Sequence, residues 1–129
     1  MAPLPDNVRV LLDGPNIAHL ATVLPTGAPH SVPVWVGLLD QKIAFLTSPS
    51  SRKARNLARD PRAAISVTDR EHPHSMAQVL GRVSERIEGD AAWAIIDRIS
   101  YKYIGQPYLL RTDRVVYLVE SEHAWGVAF

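Results

Sequence analysis

The chain has 129 residues, of which 47% are hydrophobic and 21% are charged, so its composition is that of a globular protein and not of a disordered one. It has no cysteine, which excludes disulfides and cysteine-based metal sites. A formal net charge of +1 is too small for a general nucleic-acid binder, which normally presents a strongly basic face. The amino-terminal residues do not resemble a signal peptide and no apolar run has membrane-spanning length, so we expect one cytoplasmic domain over residues 1–129 that has no membrane partner.

Turn residues and hydrophobic periodicity divide the chain into short elements. In chain order we predict a helix over 6–12, strands over 17–24, 30–39 and 42–47, a basic helix over 52–59, strands over 63–68 and 76–87, a helix between Asp90 and Gly105, and a strand over 114–119. Asp6 and Asp90 are expected to cap the first and last of these helices. Six strands, two or three helices and no regular alternation between them predict an α+β, mainly β fold, built as a six-stranded antiparallel barrel.

The predicted strand 30–39 is apolar on both of its faces. One face carries Val32, Val34, Val36 and Leu38, and the other carries Pro33, Trp35, Gly37 and Leu39. A strand of this kind is covered on both sides, whereas a small barrel has only one interior. We therefore expect the second face to meet another copy of the chain in a homodimer.

The segment 50–62 concentrates the positive charge of the chain. It holds five of the 14 basic residues and one of the 13 acidic ones, so the remainder carries nine basic and 12 acidic residues. Ser50 or Ser51 can cap the helix that follows, and Arg52 and Lys53 lie at its start, where a cation gains nothing from the helix dipole. This arrangement predicts a phosphate site at the helix start, although a solvated helix with a basic face accounts for the same charges.

The sequence gives weaker support for a metal site, a catalytic nucleophile or a dinucleotide-binding motif. His72 and His74 flank a proline and have only Glu71 as a nearby carboxylate, which is poor geometry for a metal, so no metal site is expected. No nucleophile elbow and no glycine-rich dinucleotide motif is present. No catalytic residue is therefore assigned. Tyr103 and His30 remain open candidates for a proton donor.

Several short motifs, taken in order, resemble one known group of proteins. They are a Thr-Gly-x-Pro turn, a Val-Pro-Val-Trp strand, a Phe-Leu-Thr strand, an Arg-Lys-x-x-Asn-Leu-x-x-Asp-Pro-Arg helix, the stretch Tyr-Lys-Tyr-Ile-Gly-Gln-Pro-Tyr at 101–108, and Arg-Val-Val at 114–116. Over residues 17–119 the chain resembles the split β-barrel superfamily that binds flavins and deazaflavins and includes pyridoxamine 5′-phosphate oxidase. More narrowly, it is similar to the actinobacterial branch thought to use coenzyme F420. The resemblance implies a split β-barrel.

The resemblance also implies a set of cofactor-binding residues. They are, for the phosphate, Ser51, Arg52 and Lys53; for the ring, Val32, Pro33, Val34 and Trp35; for the ribityl chain, Thr47 and Ser48; and, from a partner subunit, Gln78 and Arg82. Arg55 and Asn56 match the family helix, where they either reach the phosphate or hold the helix in place.

The function implied by the resemblance is that of an F420-dependent oxidoreductase, which transfers hydride to an unsaturated or quinone-like small molecule. FMN in place of F420 is the first alternative, because the Ser-Arg-Lys element suits either cofactor. A non-catalytic cofactor-binding protein is the second. Binding of single-stranded nucleic acid ranks last, because the basic helix contains no aromatic residue on which a base could stack. Oxidation of pyridoxamine phosphate is not expected, because residues 125–129 contain no arginine for a second phosphate.

Overall fold

A computed structural model describes residues 2–129, which form three helices and seven strands. The elements are α1 (Asp6–Asp13), β1 (Ala18–Val23), β2 (Pro29–Val34), β3 (Val36–Leu39), β4 (Lys42–Thr47), α2 (Arg52–Arg59), β5 (Arg62–Thr68), β6 (Ser75–Ile87), α3 (Gly89–Ile104) and β7 (Val115–Ala128). The strands form one sheet in the order β2-β1-β5-β6-β7-β4-β3, and every neighbouring pair is antiparallel. The α+β, mainly β class predicted from the sequence is confirmed. The predicted six-stranded barrel is not, because the sheet has seven strands and its order ends at β2 and β3 without closing.

The extra strand arises because the predicted strand 30–39 is interrupted at Trp35. β2 pairs with β1 and β3 pairs with β4, so the two halves lie at opposite edges of the sheet. The backbone of Val36 bonds to helix α3 instead of to another strand: its N–H donates to the Tyr103 hydroxyl at 3.1 Å, and its carbonyl accepts from the Lys102 ammonium. These side-chain bonds satisfy the backbone groups that a continuous strand would pair.

The main core lies between the concave side of the sheet and helix α1. Val8, Leu11 and Leu12 of α1 are buried there with strand residues such as Leu20 and Phe45. A second buried cluster lies on the other side of β4 and β7, under α3, and contains Ala92, Ile96, Ile99, Ala44, Val116 and Leu118. Strands β4 and β7 are therefore covered on both faces, as their nearly continuous apolar sequences require.

Helix α3 accounts for part of the apolar face from which a homodimer was predicted. Trp35 and Leu39, on the second apolar face of the predicted strand, pack against the cluster under α3. Gly37 lies so close to this helix that an added Cβ would stand 2.9 Å from the Ile99 side chain. Helix α3 therefore covers part of this face within the same chain, whereas Pro33 on the same face is exposed.

Two helix caps differ from the sequence prediction. Pro5 and Glu88 occupy the cap positions of α1 and α3, and neither makes a side-chain capping bond. Asp6 lies one residue and Asp90 two residues beyond the cap, in the first turns, where a carboxylate is still favoured by the helix dipole. Gly105 ends α3 with φ of 69°, as predicted. Within residues 2–129, no helix is long and apolar enough to cross a membrane.

Strand β7 continues well beyond the predicted residue 119 and pairs with β6 along almost its whole length. Polar residues at 120–123 hid this continuation in the sequence. The β6–β7 register shifts next to Gly81, where an added Cβ would lie 2.1 Å from the Glu120 carbonyl oxygen. A glycine is therefore required where the two strands approach most closely.

Candidate functional site

The basic helix α2 begins at Arg52, as the sequence predicts, and its cap is Ser51. The Ser51 Oγ accepts a hydrogen bond from the Ala54 N–H at 3.2 Å and another from the Thr47 hydroxyl at 2.8 Å. Ser50 does not cap the helix, and its hydroxyl lies 3.1 Å from that of Ser48. The end of β4 is thus joined directly to the first turn of α2, which fixes where that turn points.

A buried polar chain supports the same turn from behind. Arg52 Nε donates to Asn56 Oδ1 at 3.1 Å, and Asn56 Nδ2 donates to the Thr22 hydroxyl of β1 at 3.0 Å. Asn56 is fully buried, so its amide serves the protein interior. Of the two roles left open for Asn56, the structure favours that of holding Arg52 and the helix.

Within the described residues 2–129, the cations at the start of α2 have no acidic partners. None of the ion pairs formed among residues 2–129 includes Arg52, Lys53, Arg55 or Arg114. Lys53 is half-buried, and burial, followed by the positive charge of Arg114, lowers the pKa of its ammonium. Two cations that repel each other in a partly dehydrated place are stabilised when an anion binds between or beside them.

A pocket of about 330 Å³ opens next to Lys53. Its lining residues are Ile17, Pro33, Val34, Trp35, Leu46, Lys53 and Tyr108. Strands β2 and β4, helix α2, the residue before β1, the residue between β2 and β3, and the segment after α3 all contribute to it. The walls are apolar and aromatic, and the single charge is an ammonium, which suits a flat ring system that carries an anionic group.

Trp35 is fixed in this wall by two tyrosines. Its ring stacks on Tyr103 with centroids 5.0 Å apart and planes 8° apart, and the Tyr108 ring meets it edge-on at 6.1 Å. The Tyr103 hydroxyl donates to the Asn16 carbonyl at 2.7 Å, and burial raises its pKa. Tyr103 therefore orients Trp35. The hydroxyl proton of Tyr103 is already donated to the Asn16 carbonyl, which makes Tyr103 a weaker candidate for the proton donor.

The remaining predicted residues fall into two groups. Thr47 and Ser48 lie beside the cap of α2, and Val32 packs against the core next to the pocket residues Pro33 and Val34. Gln78 and Arg82 lie on β6, away from the pocket of the same chain: Gln78 pairs with Ser66 and Trp125, and Arg82 forms an exposed ion pair with Glu122 at 3.2 Å. His30 does not line the pocket either, and its Nδ1 atom has no partner within the described part of the chain.

The pocket residues Ile17, Leu46 and Tyr108 were not predicted from the sequence, and no role was assigned to Arg114. Tyr108 reaches the pocket because residues 105–114 fold back along α3. The Tyr108 N–H donates to Asp97 at 3.0 Å, and the Arg111 guanidinium bonds to both oxygens of that carboxylate. Gly105 and Pro107 signalled that the chain turns here, but nothing local showed in which direction.

Comparison with known proteins points to one family. The profile of the family described as pyridoxamine 5′-phosphate oxidase matches residues 4–127. A solved F420 reductase superposes with a TM-score of 0.83 at 28% identity, over 95% of this chain and 98% of that one. Among curated proteins the comparison finds no match.

Two further solved structures show the same fold at lower identity. A conserved hypothetical protein from Mycobacterium tuberculosis has a TM-score of 0.81 at 22% identity, over 99% of this chain and 86% of that one. A pyridoxamine 5′-phosphate oxidase-related, FMN-binding protein from Nostoc punctiforme PCC 73102 has a TM-score of 0.68 at 18% identity, over 88% and 74%. The fold thus occurs in proteins with either type of cofactor.

Proposed function

Because this chain belongs to the pyridoxamine 5′-phosphate oxidase family, we propose that it is an oxidoreductase that binds coenzyme F420 and reduces a small unsaturated or quinone-like molecule. The observation that carries the proposal is the apolar pocket beside Lys53, at a helix start whose cations have no carboxylate partners within residues 2–129. The likeness to a solved F420 reductase at 28% identity supports F420 as the cofactor.

The residues of the pocket fit the two ends of such a cofactor. Arg52 and Lys53, with the first-turn amides oriented by Ser51, supply charge and hydrogen bonds to a phosphate. Trp35, Pro33 and Val34 supply a flat apolar wall for the ring. The half-buried ammonium of Lys53 is the stronger argument, because its lowered pKa records a cost that a bound anion would offset.

Reduced F420 supplies a hydride, whereas FMN can also pass single electrons and react with oxygen. This chain's own residues orient the ring, hold its anionic tail and exclude water from one face. The stack of Trp35 on Tyr103 fixes the orientation, and Tyr108 closes the side of the pocket. We assign no catalytic acid, and solvent delivers the proton that accompanies the hydride.

The proposal includes a homodimer formed through the outer face of β6 and β7. On this face the large side chains of Leu80, Trp125 and Val127 are exposed by 44%, 40% and 42%, and they alternate along the paired strands with Gln78 among them. Exposed apolar residues grouped in this way are typical of an interface. Gln78 and Arg82 would then approach the partner's cofactor. Sedimentation equilibrium of the wild type and of Leu80→Glu tests this interface, and a monomeric wild type refutes it.

Titration with F420 and, separately, with FMN tests the cofactor assignment. Tryptophan fluorescence reports binding, because Trp35 lines the pocket. Trp35→Phe should abolish most of the change, whereas Trp93→Phe should preserve it. Micromolar binding of F420 but not of FMN supports the proposal. A preference for FMN would make FMN the cofactor, and binding of neither would refute the proposal.

A second experiment separates an enzyme from a cofactor carrier. The reduced complex is mixed with a panel of enones, quinones and nitroaromatics, and reoxidation of the cofactor is followed by absorbance. Reoxidation that is faster than that of free reduced cofactor supports catalysis. If the complex is reoxidised no faster than free reduced cofactor by any compound of the panel, the protein binds the cofactor without catalysis.

A further inference from the structure

A second, smaller pocket of about 220 Å³ adjoins the cofactor pocket. It is lined by Pro15, Ile17, Trp35, Arg70, Tyr103 and Ile104. Ile17 and Trp35 line both pockets, so a molecule in the smaller one lies next to the ring wall of the larger one. The proposed contacts to the phosphate and the ring leave this space unused.

The chemistry of this second pocket is simple. Arg70 is its only charged lining residue, and the other walls are apolar or aromatic. The Tyr103 hydroxyl is engaged with the Asn16 carbonyl and the Val36 N–H. Among residues 2–129, the Arg70 guanidinium makes no hydrogen bond and belongs to no ion pair, which distinguishes it from the paired Arg62, Arg86 and Arg111.

The pocket is also held in a fixed shape. The backbone N–H of Arg70 donates to the Asn16 side chain at 2.9 Å, and the same side chain donates to the Leu11 carbonyl at 2.9 Å. Asn16 is buried, and its own carbonyl accepts the hydroxyl of Tyr103. One buried residue thus joins the base of the arginine to the tyrosine that orients Trp35.

We infer that this second pocket is the subsite for the molecule to be reduced, and that it selects a compact planar acceptor bearing a carboxylate, which the Arg70 guanidinium binds. A planar guanidinium donates two parallel hydrogen bonds to a carboxylate, which an ammonium does not match. A volume of about 220 Å³ suits an acceptor of about one ring, since drug-sized ligands occupy larger pockets. This inference rests on the proposed function, because it treats the larger pocket as the cofactor site.

The test compares 3-nitrobenzoate with 3-nitrobenzamide, which differ mainly in the charge of one substituent. Binding is followed through the indole N–H resonance of Trp35, first in protein without cofactor and then with oxidised F420 added. Arg70→Gln removes the charge, Arg70→Lys keeps it without the planar fork, and Arg98→Gln is the control, an exposed arginine that lines neither pocket. Thermal unfolding checks that each variant is folded.

We expect 3-nitrobenzoate to shift the Trp35 resonance and to bind the wild type about tenfold more tightly than the amide, or more. Arg70→Gln should abolish this preference, Arg70→Lys should reduce it, and Arg98→Gln should keep it, while all three keep wild-type affinity for F420. A preference that survives in Arg70→Gln, the absence of a Trp35 shift in both conditions, or weaker F420 binding by Arg70→Gln would each overturn the inference. Because the ligands are also measured without cofactor, a failure of F420 binding refutes the proposed function separately.

Discussion

Two basic regions of this molecule use arginine and lysine in opposite ways. In the segment that follows α3, Arg111 forms a two-pronged pair with Asp97, with Nη–Oδ distances of 2.5 and 3.2 Å, and so holds the chain against the helix. At the start of α2, Arg52 and Lys53 have no acidic partner among residues 2–129, and one of them faces a pocket. Cations paired within the chain stabilise the fold, whereas unpaired cations beside a pocket support the proposed phosphate site.

The largest expected effect comes from removing the unpaired cations. Arg52→Ala/Lys53→Ala should lower cofactor affinity about a hundredfold or more, since each charge-assisted contact to a phosphate contributes about 1.5–3 kcal/mol. Thermal unfolding checks that the double variant is folded, because Arg52→Ala removes the hydrogen bond to the buried Asn56 Oδ1 and should lower the stability modestly. Arg62→Ala is the control, because Arg62 is exposed and paired with Asp60 at 2.7 Å. Unchanged affinity in the double variant would contradict the phosphate site.

Lys102 is an intermediate case that sharpens the comparison, because its ammonium is partly buried and its hydrogen bonds within residues 2–129 go to the backbone carbonyls of Leu12 and Val36. Burial lowers its pKa from 10.5 to about 8. Between these two values the unfolded chain binds the proton more strongly than the folded one, so the contribution of Lys102 to stability rises with pH. The stability advantage of the wild type over Lys102→Met, measured by urea unfolding, should therefore be larger at pH 10 than at pH 7.

A smaller effect is expected from the cap of α2. Ser51→Ala removes the acceptor for the Ala54 N–H and should cost about 1 kcal/mol in the free energy of unfolding, together with a modest loss of cofactor affinity. Ser50→Ala is the matched control, since Ser50 makes no capping bond. Equal stability losses in the two variants would show that Ser51 does not organise the first turn.

The smallest effect is expected from the paired region. Asp97→Asn weakens the pair with Arg111, which is partly exposed, so the loss of stability should be at most about 1 kcal/mol. The hydrogen bond from Arg111 is the largest of the effects that hold the pKa of Asp97 below its ordinary 3.8. The pair therefore contributes fully above pH 3.8 and is lost as the pH falls through the lower folded value. Wild type and Asp97→Asn should converge in stability only under such acid conditions.

The sequence predicted those parts of the molecule whose causes are local. The bounds of β4 and α2 match the prediction residue for residue, because a turn, a serine cap and an Asp-Pro pair mark their ends within a few positions. The end of α3 at Gly105 was predicted for the same reason. The prediction was wrong where the cause is long-range. The single strand predicted over 30–39 is two strands, β2 and β3, and Val36 at their junction bonds to Lys102 and Tyr103, more than sixty residues away.

The candidate site also has one part with local causes and another with long-range causes. The cationic helix start was predicted from neighbouring residues, whereas Pro33, Val34 and Trp35, which line the pocket, were implied by the family resemblance. The pocket itself depends on the folded chain, because strand pairing brings Ile17 and Leu46 beside that motif and the Asp97–Arg111 pair brings Tyr108 to it. Chain order encodes charge and local conformation directly, but which distant side chains share a cavity follows from the packing of the whole sheet and its helices.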